Sequence, residues 1–266
     1  MRLAVIIAAA GASRRFASHA TEIQRSKLDE DLGGRPVLQR AVELFSGLSQ
    51  TVQTIVAGPA DEQAMSAFKE RHADRLSLLG CTIVPGGREH RYQTVQAALA
   101  HLRPEVTHVA IHDAARPCTP AEVIERVLTT AEQHPAVIPV IPVADTLKRI
   151  DPAPLEQTSP DPLAAILGAA PSGPPRHRVE QTVDRTHLVA VQTPQVFEVS
   201  LLRRAYAQPN LDSTDDAQLS ERLGEPDITV MGDPKNLKLT RPEDLTLIRA
   251  IMGVRAPEAK PAHLRF

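Results

Sequence analysis

The chain opens with Leu3-Ala4-Val5-Ile6-Ile7, which leads into Ala8-Ala9-Ala10-Gly11-Ala12-Ser13-Arg14-Arg15-Phe16. A continuous apolar run with β-branched members predicts a strand that is buried on both faces, as in a parallel sheet. The small residues after it let backbone N–H groups approach a phosphate closely, and the two arginines supply positive charge. This stretch therefore predicts a phosphate site at the carboxyl end of a buried strand, with an ordinary strand-to-helix turn as the alternative.

Composition and charge limit the classes to which the protein can belong. The chain has 266 residues, 42% of them hydrophobic, which is enough for one large core with an appendage. Its formal net charge is −2 and it holds no Trp, two Tyr and five Phe, which argues against a surface that stacks bases or covers phosphates, so we expect no nucleic-acid partner. Cys81 and Cys118 fit no zinc spacing and are expected to be reduced thiols. The opening apolar run is too short for a membrane span and has no cleavage region, so we expect a cytoplasmic protein without a membrane partner.

Patterns of strand and helix type alternate through the first half of the chain. Further strands are predicted at 52–57, 81–84, 107–111 and 136–143, with amphipathic helices between them. The helix after the fourth strand is predicted to begin at a capping box, Thr119-Pro120-Ala121-Glu122. This order implies right-handed crossovers and an α/β fold, a mostly parallel twisted sheet with helices on both faces. Ligands of such sheets bind beyond the carboxyl ends of the strands.

The alternation breaks at 151–176, which is rich in proline, serine and glycine and predicts no packed element. The alternating stretches 145–150 and 178–185 on either side are predicted to pair as a two-stranded arm. Because an isolated hairpin is marginally stable in water, the arm is expected to pack on a second copy of the chain in a homodimer.

These patterns give the domain boundaries. We expect a single domain over 1–253, from which the arm protrudes over 144–187 with a proline-rich flexible tip over 151–177. Residues 254–266 are predicted to form a loose tail.

A carboxylate at the end of the fourth strand is the candidate metal ligand. Asp113 would lie beside the predicted phosphate site, where an exposed carboxylate most simply holds Mg²⁺; alternatively it caps the next turn. His112 is interpreted as structural, and Arg116 either orders the loop or contacts a phosphate.

Two lysines and an acidic run complete the candidate residues. Lys27 ends a polar loop and Lys238 stands within the apolar alternation Leu237-Lys238-Leu239, and each is either a solvated surface lysine or a phosphate ligand. Thr214-Asp215-Asp216 is predicted to cap a helix in preference to binding a metal. If the lysines converge with Asp113 and the arginines of the first turn, the residues predict metal-assisted phosphoryl or nucleotidyl transfer.

Eight motifs in collinear order over 3–253 resemble the 2-C-methyl-D-erythritol 4-phosphate cytidylyltransferase family. They are Ala9-Ala10-Gly11-Ala12-Ser13-Arg14-Arg15, Gly86-Gly87 with Arg91 and Thr94-Val95, His112-Asp113-Ala114-Ala115-Arg116-Pro117, Asp145-Thr146-Leu147-Lys148, Thr182-Val183-Asp184-Arg185, Gln192-Thr193-Pro194-Gln195-Val196-Phe197, Thr214-Asp215-Asp216-Ala217, and Asn236-Leu237-Lys238-Leu239-Thr240 with Pro242-Glu243-Asp244-Leu245. The resemblance implies a Rossmann-like nucleotidyltransferase fold that dimerises through exchanged arms. The implied reaction joins CTP and methylerythritol phosphate, releases pyrophosphate and belongs to non-mevalonate isoprenoid biosynthesis.

The resemblance also implies roles for individual residues. The CTP would be held by Ala9, Ala10, Gly11, Ala12, Ser13, Gly87 and Thr94. Arg15 and Lys27 would stabilise charge on the α-phosphate during in-line attack, and Lys238 would add a phosphate contact. Asp113 would bind Mg²⁺. The methylerythritol phosphate would be bound by Thr146 and Arg185 from the partner's arm, with Arg116 as a further contact to the substrate phosphate.

The chain departs from the family pattern just after the catalytic-type lysine. Leu28-Asp29 stands where the family usually has glutamine followed by phenylalanine or tyrosine, and the segment between Arg15 and Lys27 is longer than in the common form. This departure leaves open a CTP-binding pseudoenzyme without catalysis. A ribitol-5-phosphate cytidylyltransferase also stays open on the sequence, because that sister enzyme shares several of the motifs.

Overall fold

The structure is a computed structural model that describes residues 1–11, 16, 26–155 and 175–256. The chain divides into two compact units, one formed by Met1–Ile141 together with the chain from Val191 onward, and one formed by Pro142–Ala190. The larger unit contains a central sheet and its helices. The smaller unit contains a two-stranded sheet.

The strands and helices follow one another in the predicted alternation. In chain order the strands are β1 (Leu3–Ala8), β2 (Thr51–Gly58), β3 (Cys81–Pro85), β4 (His108–Asp113), β5 (Ala136–Pro142), β6 (Leu147–Pro154), β7 (His177–Val183), β8 (Val189–Val191), β9 (Gln195–Glu198) and β10 (Ile228–Met231). The described helices are α1 (Val37–Glu43), α2 (Glu62–Leu78), α3 (Arg91–Leu99), α4 (Ala121–Ala131), α5 (Val199–Tyr206), α6 (Ala217–Glu221) and α7 (Asp244–Met252).

The central sheet has the strand order β10-β5-β9-β4-β1-β2-β3. Strand β1 pairs in parallel with β2 and β4, β2 pairs in parallel with β3, and β5 pairs in parallel with β10. Strand β9 was not predicted: it lies between β4 and β5 and is antiparallel to both. The sheet is therefore mostly parallel, as predicted, with an antiparallel strand at its centre.

The apolar run that opens the chain is the middle of this sheet. Leu3, Val5 and Ile7 contribute to a core with helices α1, α2, α4 and α7, whereas Ala4 and Ile6 contribute to a core with α3, α5 and α6. All five are fully buried. Each large side chain of this kind stabilises the fold by about 1.5–3 kcal/mol, so burial on both faces accounts for the continuous apolar pattern.

The predicted capping box before α4 is wrong. The helix begins at Ala121 with Pro120 in the N-cap position, and no side chain caps it. Instead, the Thr119 hydroxyl donates to Oδ1 of Asn236 at 2.9 Å, since this buried amide lies close enough to accept the bond. The long-range partner therefore outcompetes the local cap.

In the smaller unit, β6 and β7 pair antiparallel with Leu147 opposite Val183 and Ile150 opposite Val179. The two predicted stretches thus form the expected two-stranded ladder. The expected boundary of the proline-rich tip needs correction, because residues 151–154 continue β6 and His177 begins β7. Prolines are tolerated there since each strand of a two-stranded ladder has one edge without a partner. The rest of the predicted tip, 156–174, lies outside the described residues.

Cys81 and Cys118 are free cysteines, and burial raises the pKa of both thiols to about 11. Both cysteines are therefore protonated at neutral pH. No helix in the described part of the chain is long and apolar enough to cross a membrane.

Asp227 makes a pH-dependent contribution to stability. Its Oδ1 accepts a bond from the Ser220 hydroxyl of α6 at 2.5 Å, and burial raises its pKa from 3.8 to about 6. Well below pH 3.8 the carboxyl is protonated in both the folded and the unfolded chain. As the pH rises from 4 to 6 the unfolded chain loses this proton first, so the free energy of unfolding falls.

We expect Asp227→Asn to melt at a higher temperature than the wild type at pH 7.5, by an amount that shrinks towards pH 5. Thermal melts at the two pH values test this, and an Asp227→Asn protein that melts lower at pH 7.5 contradicts it.

Candidate active site

A cavity of about 570 Å³ opens at the carboxyl ends of β1 and β4. The last residues of these strands, Ala8 and Asp113, are paired across the ladder. The cavity is lined by Ala8, Ala9, Ala10, Gly11, Phe16, Lys27, Leu28, Gly87, Arg88, Glu89, His90, Arg91, Thr94, Asp113, Ala114, Ala115, Thr214, Lys238 and Thr240. This is the edge of the sheet at which a ligand of an α/β fold is expected.

The structure brings three of the predicted first-turn residues to the cavity. Ala9, Ala10 and Gly11 line it directly after β1, and the Ala9 N–H donates to the carbonyl of Ala57 at 2.9 Å. Ala12, Ser13 and Arg15, with Arg14, lie outside the described residues. Their place in a phosphate-binding turn stays a prediction.

Opposite this turn the chain passes through two glycines. A Cβ on Gly86 would lie 2.7 Å from the Gly58 carbonyl oxygen and 2.9 Å from Cβ of Ala10, so only glycine lets the two turns approach this closely. The Gly87 N–H donates to the Thr94 hydroxyl at 3.1 Å, which orders the loop before α3. Both Gly87 and Thr94 therefore reach the cavity wall, where the resemblance expects nucleotide contacts.

Asp113 is surrounded by three cationic side chains. Its Oδ2 lies 2.7 Å from Nζ of Lys238 and 3.5 Å from Nε of Arg116, and its Oδ1 lies 3.3 Å from Nε of Arg91. Burial alone would raise the pKa of this carboxyl, but the charges of Arg91, Lys238 and Arg116 hold it well below its usual range. Asp113 is therefore ionised at any pH at which the protein works, and the cluster carries an excess of positive charge.

The strand end that presents Asp113 is fixed by buried polar contacts. The Asp113 N–H donates to the Thr193 hydroxyl at 3.1 Å, and that hydroxyl lies 3.2 Å from Nδ1 of His112. His112 also contacts the Arg116 carbonyl at 3.0 Å through Nε2. Burial lowers the pKa of His112 to about 4, so the ring is neutral and has the structural part that the sequence predicts.

Lys238 reaches the cluster from a loop after β10. The loop is held by Asn236, which is almost fully buried and donates to the Thr193 carbonyl at 2.9 Å. Arg116 donates to the Asn236 carbonyl at 2.7 Å. Arg116 therefore helps to order the loop through Asp113 and this carbonyl, and its predicted contact with a substrate phosphate stays a prediction.

Lys27 also arrives at the cavity. Its ammonium group donates to the Leu239 carbonyl at 2.9 Å, next to Lys238. The two lysines are therefore brought together from positions far apart in the sequence, since one lies between β1 and β2 and the other after β10.

Arg91 is the main residue of the site to which the sequence assigned no role. It links Asp113 to Asp216, whose Oδ1 accepts a bond from the Tyr206 hydroxyl at 2.5 Å. Burial would lower the pKa of Arg91, but Asp216 and Asp113 raise it. Arg91 is part of the motif with Gly86-Gly87, and this was the signal in the sequence that could have pointed to it. Its two partners, Asp113 and Asp216, are too far away in the sequence for a local pattern to identify.

The prediction that Thr214-Asp215-Asp216 caps a helix is correct for one residue. Asp215 Oδ1 accepts from the Gln218 N–H at 3.1 Å, as a cap does. Asp216 stands in the N-cap position of α6 without a side-chain cap bond, because its carboxylate is taken by Arg91 and Tyr206.

Thr146 and Arg185 belong to the smaller unit. The Arg185 guanidinium donates to the carbonyl oxygens of Val143, at 3.1 Å, and Ala144. These bonds lie within the smaller unit. The contact of Thr146 and Arg185 with a substrate phosphate stays a prediction.

In the described residues, no group of three or more His, Cys, Asp or Glu side chains could hold a metal ion by itself. Asp113 is 7% exposed and not an exposed carboxylate as predicted, because three cationic side chains surround it, but it still offers one carboxylate at the cavity wall. A site of this kind suits a cation that takes most of its ligands from a phosphate substrate and water.

Comparison with known proteins gives a consistent result. Residues 3–161 and 170–254 match the family model described as 2-C-methyl-D-erythritol 4-phosphate cytidylyltransferase. The chain is 38% identical over 259 residues to the protein of that name from Symbiobacterium thermophilum, covering 96% of this chain and 94% of the relative. It is 40% identical over 225 residues to the corresponding protein from Rhodococcus opacus, covering 84% of each chain.

A solved structure has the same architecture. The crystal structure of 2-C-methyl-D-erythritol 4-phosphate cytidylyltransferase from Thermus thermophilus superposes with a TM-score of 0.66 at 29% sequence identity. The match covers 96% of this chain and 100% of that one. The similarity therefore extends over nearly the whole chain and is not confined to the central sheet.

Proposed function

The chain belongs to the 2-C-methyl-D-erythritol 4-phosphate cytidylyltransferase family, and on this basis we propose that it joins CTP to 2-C-methyl-D-erythritol 4-phosphate and releases pyrophosphate. The product is 4-diphosphocytidyl-2-C-methyl-D-erythritol, an intermediate of non-mevalonate isoprenoid biosynthesis. The proposal makes the chain an active enzyme, in contrast to the pseudoenzyme that the altered residues after Lys27 left open.

One observation carries the proposal: Lys27, Lys238 and Arg91 converge with Asp113 on a cavity that begins at the end of β1. In the reaction an oxygen of the substrate phosphate attacks the α-phosphorus of CTP, and the bond to the β-phosphate oxygen breaks. Negative charge grows on the α-phosphate oxygens during this exchange. Cations that are fixed in place before the reaction stabilise that charge without reorganising.

The residues have distinct parts in this scheme. Ala9, Ala10 and Gly11, with Gly87 and Thr94, form the walls against which the nucleotide lies. Ala12 and Ser13, which lie outside the described residues, are proposed as further nucleotide contacts. Lys27 and Arg15 contact the α-phosphate, and Lys238 exchanges its ion pair with Asp113 for a phosphate oxygen.

We propose Mg²⁺ as the metal and Asp113 as its protein ligand. Mg²⁺ keeps several waters and commonly takes one or two carboxylates together with substrate phosphates, which fits a single ionised carboxylate at the cavity wall. The ion would neutralise phosphate charge when CTP is bound. Asp113 itself holds Lys238 and Arg91 in position in the absence of the ion.

The second substrate is proposed to bind with help from a second copy of the chain. Thr146 and Arg185 would contact the methylerythritol phosphate from the partner's arm, with Arg116 near the same phosphate. Ile150 and Val179, which pair across β6 and β7, are 47% and 56% exposed and provide an apolar patch for such an assembly. Sedimentation of the purified protein tests the dimer.

Pyrophosphate release tests the reaction. The protein is assayed with CTP and Mg²⁺ and with methylerythritol phosphate, ribitol 5-phosphate or no second substrate. Of these three conditions, only the one with methylerythritol phosphate is expected to release pyrophosphate. Release only with ribitol 5-phosphate would assign the chain to the sister reaction, and CTP binding without any release would make it a pseudoenzyme.

Lys27→Ala tests the part of this lysine. We expect kcat to fall about 10²–10³-fold because a preorganised cation is removed from the developing charge. The dissociation constant of CTP, measured by calorimetry, should change only a few-fold. Lys69→Ala on α2, outside the cavity lining, is the matched control. Turnover of Lys27→Ala at the wild-type rate would remove this residue from the mechanism.

A further inference from the structure

Lys27 lies in a tight turn next to the cavity. The Asp29 N–H donates to the Ser26 carbonyl at 2.9 Å, so that Lys27 and Leu28 are the central residues of the turn. Leu28 is 4% exposed and lines the cavity together with Lys27. The direction of the lysine side chain therefore depends on how this turn is held against the body of the protein.

The carboxylate of Asp29 holds the turn to helix α2. Its Oδ1 lies 2.7 Å from Nε2 of His72, and its Oδ2 lies 3.1 Å from Nε of Arg71. Both oxygens are thus engaged by neighbouring residues of one helix. A second tether joins the turn to α1, where the Leu38 N–H donates to the Leu28 carbonyl at 3.2 Å.

His72 is an unusual residue for its position. It is 3% exposed and stands on the buried face of α2 between Phe68 and Leu76, with its ring centroid 4.9 Å from that of Phe68. A buried imidazole without a partner would cost free energy, and Asp29 supplies that partner from outside the helix. In this pair His72 is held by its burial in α2, and Asp29 connects the turn to it.

The charges around Asp29 agree with this geometry. Burial raises the pKa of its carboxyl, but the hydrogen bond from His72 and the charge of Arg71 outweigh burial and lower it. The carboxylate is ionised at neutral pH and is available to both partners.

We propose that Asp29 is a positioning residue, which anchors the Ser26–Asp29 turn to His72 and Arg71 of α2 and so fixes the ammonium group of Lys27 in the cavity. The inference rests on the proposed function for the part that Lys27 has in the reaction. It gives a physical reason for the aspartate that stands where the family pattern has an aromatic residue.

Kinetics of four variants test the inference. Asp29→Asn should lower kcat about 10–100-fold, since a small displacement of a reacting group has effects of this size, and leave the KM for CTP within about threefold. In a Lys27→Ala background the same substitution should lower kcat no further, because Asp29 acts through Lys27. Asp31→Asn on the same loop is the matched control, since its Oδ2 accepts from the nearby Gly34 N–H at 3.2 Å, and it should retain wild-type kcat.

Hydrogen exchange supplies a readout that does not depend on turnover. In Asp29→Asn, amides of residues 26–30 should exchange at least tenfold faster than in the wild type, with little change in α3 and the central strands. If the wild type is inactive with methylerythritol phosphate, the proposed function fails while the exchange result still shows whether Asp29 holds the turn.

Three outcomes would overturn the inference. They are an Asp29→Asn protein with wild-type kcat, an equal loss of kcat from Asp29→Asn in the presence and absence of Lys27, and unchanged exchange of the turn. A general loss of stability is recognised by faster exchange throughout the sheet and counts against a specific anchor.

Discussion

Asp113→Asn is expected to lower kcat/KM about 10³-fold. The substitution removes the negative charge around which Lys238, Arg91 and Arg116 are arranged, so that these three cations face one another and Asp216, on the far side of Arg91, is the remaining carboxylate partner that the described contacts give them. It also removes the proposed metal ligand while keeping the size of the side chain. Pyrophosphate release measured over a range of Mg²⁺ concentrations tests the prediction.

The two effects of this substitution can be separated. If the carboxylate holds the metal, a higher Mg²⁺ concentration should recover part of the activity of Asp113→Asn. If it only arranges the cations, added Mg²⁺ should have no effect. An Asp113→Asn protein within tenfold of the wild type would show that the carboxylate is dispensable and would contradict both parts.

Arg91→Met is expected to have the largest effect on stability, a loss of about 3–5 kcal/mol in the free energy of unfolding. The arginine connects two carboxylates, and its removal leaves Asp216, which is 1% exposed, as a buried charge whose carboxylate keeps, among the described residues, the Tyr206 hydroxyl as a partner. Urea denaturation measures the loss. A loss below 1 kcal/mol would contradict the prediction.

A second substitution provides the control for Arg91→Met. Adding Asp216→Asn removes the unpaired charge, so the double variant should recover a large part of the lost stability. Activity should not return, because Arg91 also contacts Asp113. A double variant that is less stable than Arg91→Met alone would show that the charge of Asp216 is not the cause.

The fold was largely predictable because its main signals are local. The apolar run 3–7 could be buried on both faces only in the middle of a layered sheet, and Asp113 could be placed at a strand end from the pattern that precedes it. Strand β9 could not be predicted in the same way. It is four residues long and antiparallel, and its place between β4 and β5 is decided by tertiary pairing.

The site was predictable in its residue types but not in its connections. Lys27 and Lys238 had no local feature that distinguishes them from surface lysines, and they meet only because the loop after β10 is held by Asn236. Arg91 and Asp216 are 125 residues apart, so no spacing rule could pair them. Thr119 shows the opposite kind of error. The sequence around it matches a local capping pattern, but its hydroxyl instead bonds a buried amide from a distant loop.

The antiparallel pairing of β5 with β9 has a consequence for how the chain tolerates changes in length. Ala136 lies opposite Phe197 and Val137 opposite Val196, so these two strands form a hairpin whose connection is the entire segment of the smaller unit. The register of the central sheet is set by residues on either side of that connection and is independent of its length. Insertions and deletions between β5 and β8 can therefore accumulate during evolution without shifting Asp113, Lys238 or the central strands.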